Sequence, residues 1–72
     1  MYVIKYTGTV GKSEHNNGEF YSSTGNNGLW NYHRWTDIDQ AKKFKTKEEA
    51  IKFKTYYAKT ISPLKGRIVK CL

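Results

Sequence analysis

Apolar residues alternate with polar ones at both ends of the chain and recur at three and four residues in its second half. This is the pattern of strands flanking helices. Near the N-terminus, Tyr2 to Thr7 is dominated by β-branched and aromatic residues. It predicts a strand with Tyr2, Ile4 and Tyr6 on one face and Val3, Lys5 and Thr7 on the other, lying inside the sheet. Glu19 to Ser23 predicts a second, short strand. A third runs from Leu29 to Trp35, with Leu29, Asn31, His33 and Trp35 on one side and Trp30, Tyr32 and Arg34 on the other. Asn-Asn-Gly occurs twice, at 16–18 and 26–28. Its side chains tolerate positive φ, so the two copies bracket the second strand as turns. After Pro63 and Gly66, the segment Arg67 to Leu72 predicts a last strand. It is placed beside the first because chain ends in compact domains often lie close together.

Between the third and last strands, Trp35 to Ala58 carries the helix signals. Thr36 or Asp37 can cap a first turn, and Ile38, Ala41 and Phe44 at three-residue spacing predict a short helix ending before Lys45. Thr46 followed by Glu49 is a capping box, in which a hydroxyl and a carboxylate satisfy amides left open at a helix start. The second helix then runs from about Lys47 to Thr60 and ends near Ser62, because Pro63 disfavours helical backbone before it. Ala50, Phe53, Tyr57 and Ile61 form its apolar stripe, widened by Ile51 and Ala58, with the stem of Lys54 crossing it. The expected fold is a single small α+β domain over residues 1–72, β-β-β-α-α-β, with the helices packed on one face of an antiparallel sheet of about four strands. Only one face of the third strand can lie beneath the helices. Either Trp35 is core and the Trp30 face lies outside, or the reverse; Trp35 is favoured as core because it sits at the entry to the first helix.

At 72 residues there is room for one domain with a thin core. Apolar runs are only a few residues long, too short for a membrane-spanning helix, and MYVIKYTG lacks the segments of a signal peptide. A cytoplasmic protein without membrane attachment is expected. The lone cysteine, Cys71, excludes a disulfide within the chain, and His15, His33 and Cys71 are too scattered to suggest a metal site. The glycines form neither a phosphate-binding G-x-x-x-x-G-K-S/T loop nor a G-x-G-x-x-G turn, so no cofactor is expected. His15 and His33 with nearby lysines have the groups for general acid and base cleavage of RNA. One sits in a polar loop and the other in a strand, where ordinary packing accounts for them, and the chain is read as non-enzymatic.

Charge changes this picture. The formal net charge is +7, and it is concentrated: residues 1–39 hold three basic and four acidic side chains, whereas 40–72 hold ten basic and two acidic. A field of this sign attracts nucleic acid, nucleotides or acidic proteins, although a lysine-rich helix face also serves solubility alone. The sharper feature is aromatic residues beside basic ones. Trp30, Tyr32 and Arg34 project from one strand face, with Tyr21 as an addition from the neighbouring strand. Lys42, Lys43, Lys45, Lys52 and Lys59 lie nearby or on the opposite face. Such a set can stack on bases and neutralise phosphates, or anchor a protein interface.

Trp35-Thr36-Asp37, Ala41, Phe44, Thr46, Glu49 and Ala50, flanked by YVIKY and GRIVK, resemble a pattern common in small phage and prophage proteins. The resemblance implies an inhibitor or modulator of a host factor, a protein or nucleoprotein complex, including defence systems such as CRISPR-Cas or restriction enzymes. Many such inhibitors are acidic mimics of DNA, and this basic chain departs from that. Besides anti-defence binding, two readings stay open: a nucleic-acid-binding module for DNA or RNA, and sequestration of an anionic nucleotide.

Overall fold

The structure, a computed structural model, describes residues 1–8, 18–26, 28–29, 31–60 and 64–71. The strands are β1 (Tyr2–Tyr6), β2 (Phe20–Asn26), β3 (Asn31–Thr36) and β4 (Gly66–Lys70), and α1 spans Lys47–Thr60. They form a four-stranded antiparallel sheet in the order β3-β2-β1-β4. β1 is interior and β4 pairs beside it from Tyr2↔Lys70 to Tyr6↔Gly66, as the alternation and the closeness of the ends predict. At the β2–β3 connection Gly28 adopts a φ of 93°, open to a residue without Cβ, and its N–H donates to Asn26 Oδ1 at 2.7 Å. The expected Asn16-Asn17 turn, Trp30, His15 and the helix end at Ile61 to Pro63 lie outside the described residues.

The capping box forms. Thr46 Oγ1 accepts from the Glu49 N–H at 3.2 Å, while the Glu49 carboxylate reaches one residue further back, accepting from the Lys45 N–H at 3.2 Å. Ala50, with no exposed surface, lets α1 approach the sheet closely, and Phe53 and Tyr57 follow on the same face. Beneath them lie Ile4, Tyr21 and Trp35, with Leu64 entering from beyond the helix. Trp35 is therefore core, the favoured alternative, although α1 and not a helix beginning beside it provides the cover.

The first expected helix is not there. Ile38–Gln40 makes one 3₁₀ turn, and the chain then extends. Lys42 N–H donates to Tyr21 C=O at 2.9 Å, and Phe44 and Tyr2 exchange two backbone bonds of 2.8 Å. The Lys42–Phe44 segment thus occupies the side of β1 that β2 leaves free, because β2 meets β1 only around Lys5↔Phe20. In extended backbone, residues three apart face opposite ways. Ala41 joins Val3, Cys71, Phe20 and Val69 on the back of the sheet, while Phe44 joins the cluster under α1. The spacing that looks helical instead serves two cores, and Ile38 is left exposed.

This geometry separates the two arrangements by mutation. Phe44→Ala should cost about 3–5 kcal/mol through loss of a buried ring. Ile38→Ala should stay within about 0.5 kcal/mol, as for an exposed site. Equal losses in urea denaturation would contradict the extended segment.

Candidate interaction surface

The front of the sheet is closed by rings. Tyr21 lies 5.9 Å from Trp35, 5.6 Å from Phe53 and 6.4 Å from Tyr57, centroid to centroid, and Tyr6 packs edge-on against Trp35 at 4.8 Å. Phe53 stacks on Tyr57 at 4.6 Å. The sequence groups Tyr21 with Tyr32 and Arg34, and the structure puts it on the opposite face. Its register partner is Trp35, so its ring points under the helix and is 1% exposed.

A bulge between Tyr21 and Ser23 shifts the alternation so that Thr24 shares the face of Tyr21. Their hydroxyls are 2.8 Å apart, and Thr24 Oγ1 is 2.8 Å from His33 Nδ1. His33, with its ring 6.0 Å from that of Tyr57, thus closes a packed polar chain. Burial pushes the Tyr21 phenol up to about 12 from its ordinary 10.0; the Thr24 hydrogen bond opposes the rise, and the Tyr57 hydroxyl and charge add to it.

The back of the sheet carries the aromatic and basic combination, with Arg34 exposed and Tyr32 half-buried. Tyr32 and Arg34, two apart on β3, share the face away from α1, and Arg34 Nη2 donates to the Tyr32 hydroxyl at 3.1 Å. The guanidinium carbon lies 5.5 Å from the Tyr32 ring centroid, a cation–π distance. Gly25 is the cross-strand partner of Tyr32, and a Cβ there would come within 2.7 Å of the ring. Glycine is what allows the ring to lie across β2. Lys5 and Arg67, paired across β1 and β4, fall on this same back face, with Phe20 opposite Lys5 on the other side. Neither Lys5 nor Arg67 stood among the candidates. Their alternation with Val3 and Val69 and the pairing of the end strands contained the signal.

The lysines divide. Lys42 Nζ lies 5.6 Å and 5.4 Å from the Phe44 and Phe53 ring centroids. Lys43 Nζ donates to the carbonyls of Ile38 at 2.7 Å and Ala41 at 3.1 Å, holding the turn after the 3₁₀ segment. Lys45, Lys52 and Lys59 are exposed; the last two belong to α1, across the sheet from Tyr32 and Arg34. Of the expected set, the fold brings Tyr32 and Arg34 together and separates them from the helix lysines. Trp30 lies outside the described residues.

Among the described residues, no group of three histidine, cysteine or acidic side chains is placed to hold a metal ion, and no helix is long and apolar enough to cross a membrane. Cys71 is a buried free thiol in the back cluster. The class defined by this architecture is the small α+β domain, one helix on a four-stranded antiparallel sheet. Compared with protein-family models, curated proteins and solved structures, the chain matches none.

The buried phenol sets a pH dependence. Because the folded value lies above the unfolded one, the contribution of Tyr21 is complete below pH 10 and is lost as pH rises toward 12. Tyr21→Phe should lose the hydroxyl's hydrogen bonds at pH 8, about 1 kcal/mol. It should also decline less than wild type between pH 10 and 12, read as urea midpoints. Parallel declines would show that Tyr21 ionises as freely folded as unfolded.

Proposed function

We propose that the chain is a non-catalytic interaction protein of the phage type, acting in the cytoplasm of a bacterial host. It inhibits or modulates a host factor by occluding an acidic surface with basic and aromatic side chains. One observation carries this reading: Arg34 is held against the Tyr32 ring on a sheet face that also bears Lys5 and Arg67. An arginine already braced by an aromatic ring loses less conformational freedom on binding, and arginine and tyrosine are favoured anchors of protein interfaces. The excess of positive charge selects acidic partners and speeds encounter with them.

A nucleic-acid-binding module is the second reading, favoured by the same aromatic and basic side chains on a sheet face, which is a platform for stacked bases. The placement of the lysines favours a protein partner. Lys42 and Lys43 are engaged within the fold, and Lys52 and Lys59 sit across the sheet from Tyr32 and Arg34. Cations on opposite sides do not form one track for a phosphate backbone.

Affinity capture from a bacterial lysate, with and without nuclease, separates the two. A captured protein should survive nuclease treatment, and Tyr32→Ala with Arg34→Ala should weaken its binding at least tenfold, about 1.4 kcal/mol. Capture that disappears with nuclease, together with oligonucleotide binding that falls steeply with salt, would instead establish the nucleic-acid reading.

A further inference from the structure

A second surface, separate from Tyr32 and Arg34, lies at the other edge of the sheet. β4 is an edge strand, and among the described residues no strand pairs with its outer side. The Cys71 N–H donates to Met1 C=O at 2.8 Å and the Thr7 N–H to Lys65 C=O at 3.1 Å. In an antiparallel ladder the backbone groups alternate in direction, so Arg67 and Val69 also turn theirs to β1 and Ile68 and Lys70 turn theirs outward. At Gly66 both groups are already taken: its N–H donates to Leu64 C=O at 2.8 Å, and its carbonyl accepts from Lys54 Nζ. The open stretch therefore begins at Ile68.

The helix extends the same site. Ile51, Thr55 and Ala58, spaced four and three, share a side of α1. They line, with Lys54 and the half-buried Ile68, a groove of about 280 Å³ between the helix and β4. Ile51 remains 46% exposed although it points toward the sheet edge. An apolar stripe of this kind, standing beside an unpaired edge, is where a further strand would find both backbone partners and cover.

We propose that the outer edge of β4 receives an extended acidic segment of a partner protein as a fifth strand, one apolar side chain of that segment entering the groove of Ile51, Ala58 and Ile68. Charge selects the occupant. Lys65 just before β4 and Arg67 and Lys70 on it are exposed and Lys54 sits at the groove, while Glu48, a turn before Ile51, is the acid on that side of the helix. Two copies of β4 side by side would set these cations against their own kind, which disfavours self-pairing. An acidic strand meets them with opposite charge. This surface shares Arg67 with the Tyr32–Arg34 face but uses no residue of β3, and its test reads the outward amides of β4.

The test is titration of the nitrogen-15-labelled full chain with a capped eight-residue peptide alternating glutamate and valine, followed by NMR. The amides of Ile68 and Lys70 should shift, and their hydrogen exchange should slow at least tenfold at saturation. A peptide alternating lysine and valine should leave them unmoved. Lys70→Pro removes an outward donor without touching the β1 ladder and should weaken binding at least tenfold. Should that variant unfold, Ala58→Glu on the exposed helix side should weaken binding as much. Absence of binding at millimolar peptide, or binding with the Ile68 and Lys70 amides unmoved, would overturn the proposal. Full affinity in a folded Lys70→Pro or Ala58→Glu variant would do the same. So would protection of those amides on concentrating the protein alone, since the occupant would then be a second copy.

Discussion

The ring of Tyr21 is the contact through which one helix holds two strands of this sheet. It meets Trp35 from β3 and both Phe53 and Tyr57 from α1, and its hydroxyl bonds to Thr24 on its own strand. In a chain of 72 residues there is little other apolar volume to do this. The helix contributes a single completely buried residue, Ala50, and its remaining core contacts are half-buried rings. Aromatic side chains suit such a thin layer because each covers a large area from one backbone position. The hydroxyl must then be satisfied in the interior, and the bulge that places Thr24 beside Tyr21 accomplishes this.

A second consequence is that the sheet is opened on one side of β1. β2 meets β1 near Lys5 and Phe20, and the extended Lys42–Phe44 segment takes up the backbone groups of Tyr2. That insertion ties the start of the chain to the residues just before α1, and it sends Ala41 and Phe44 into different cores. It also uses two lysines. The ammonium of Lys42 rests near the rings of Phe44 and Phe53, and that of Lys43 satisfies carbonyls of the 3₁₀ turn. Positive charge that reads as a surface for partners is in these two positions part of the fold's own bonding.

What is left for partners is therefore arranged differently from a single basic patch. The back of the sheet presents Arg34 braced by Tyr32, with Lys5 and Arg67 on the same face. The helix and the β4 edge form a second basic region with a groove between them. Tyr32 and Arg34 stand on one edge strand, β3, and the groove adjoins the other, β4, while Arg67 belongs to both regions.

Signals of short range in the chain carry the strand alternations, the capping box at Thr46 and Glu49 and the glycine turn at Gly28. Each follows from contacts within a few residues or from a period that one face must obey. Tertiary structure alone decided the fate of Ile38 to Phe44, because three-residue spacing fits a helix face and equally fits an extended segment buried on both sides. It also decided the face of Tyr21, which depends on the cross-strand register with Trp35, and the register that sets Lys5 opposite Arg67. Register and insertion are set by pairing between distant strands, and a linear pattern carries only the alternation, not the partner.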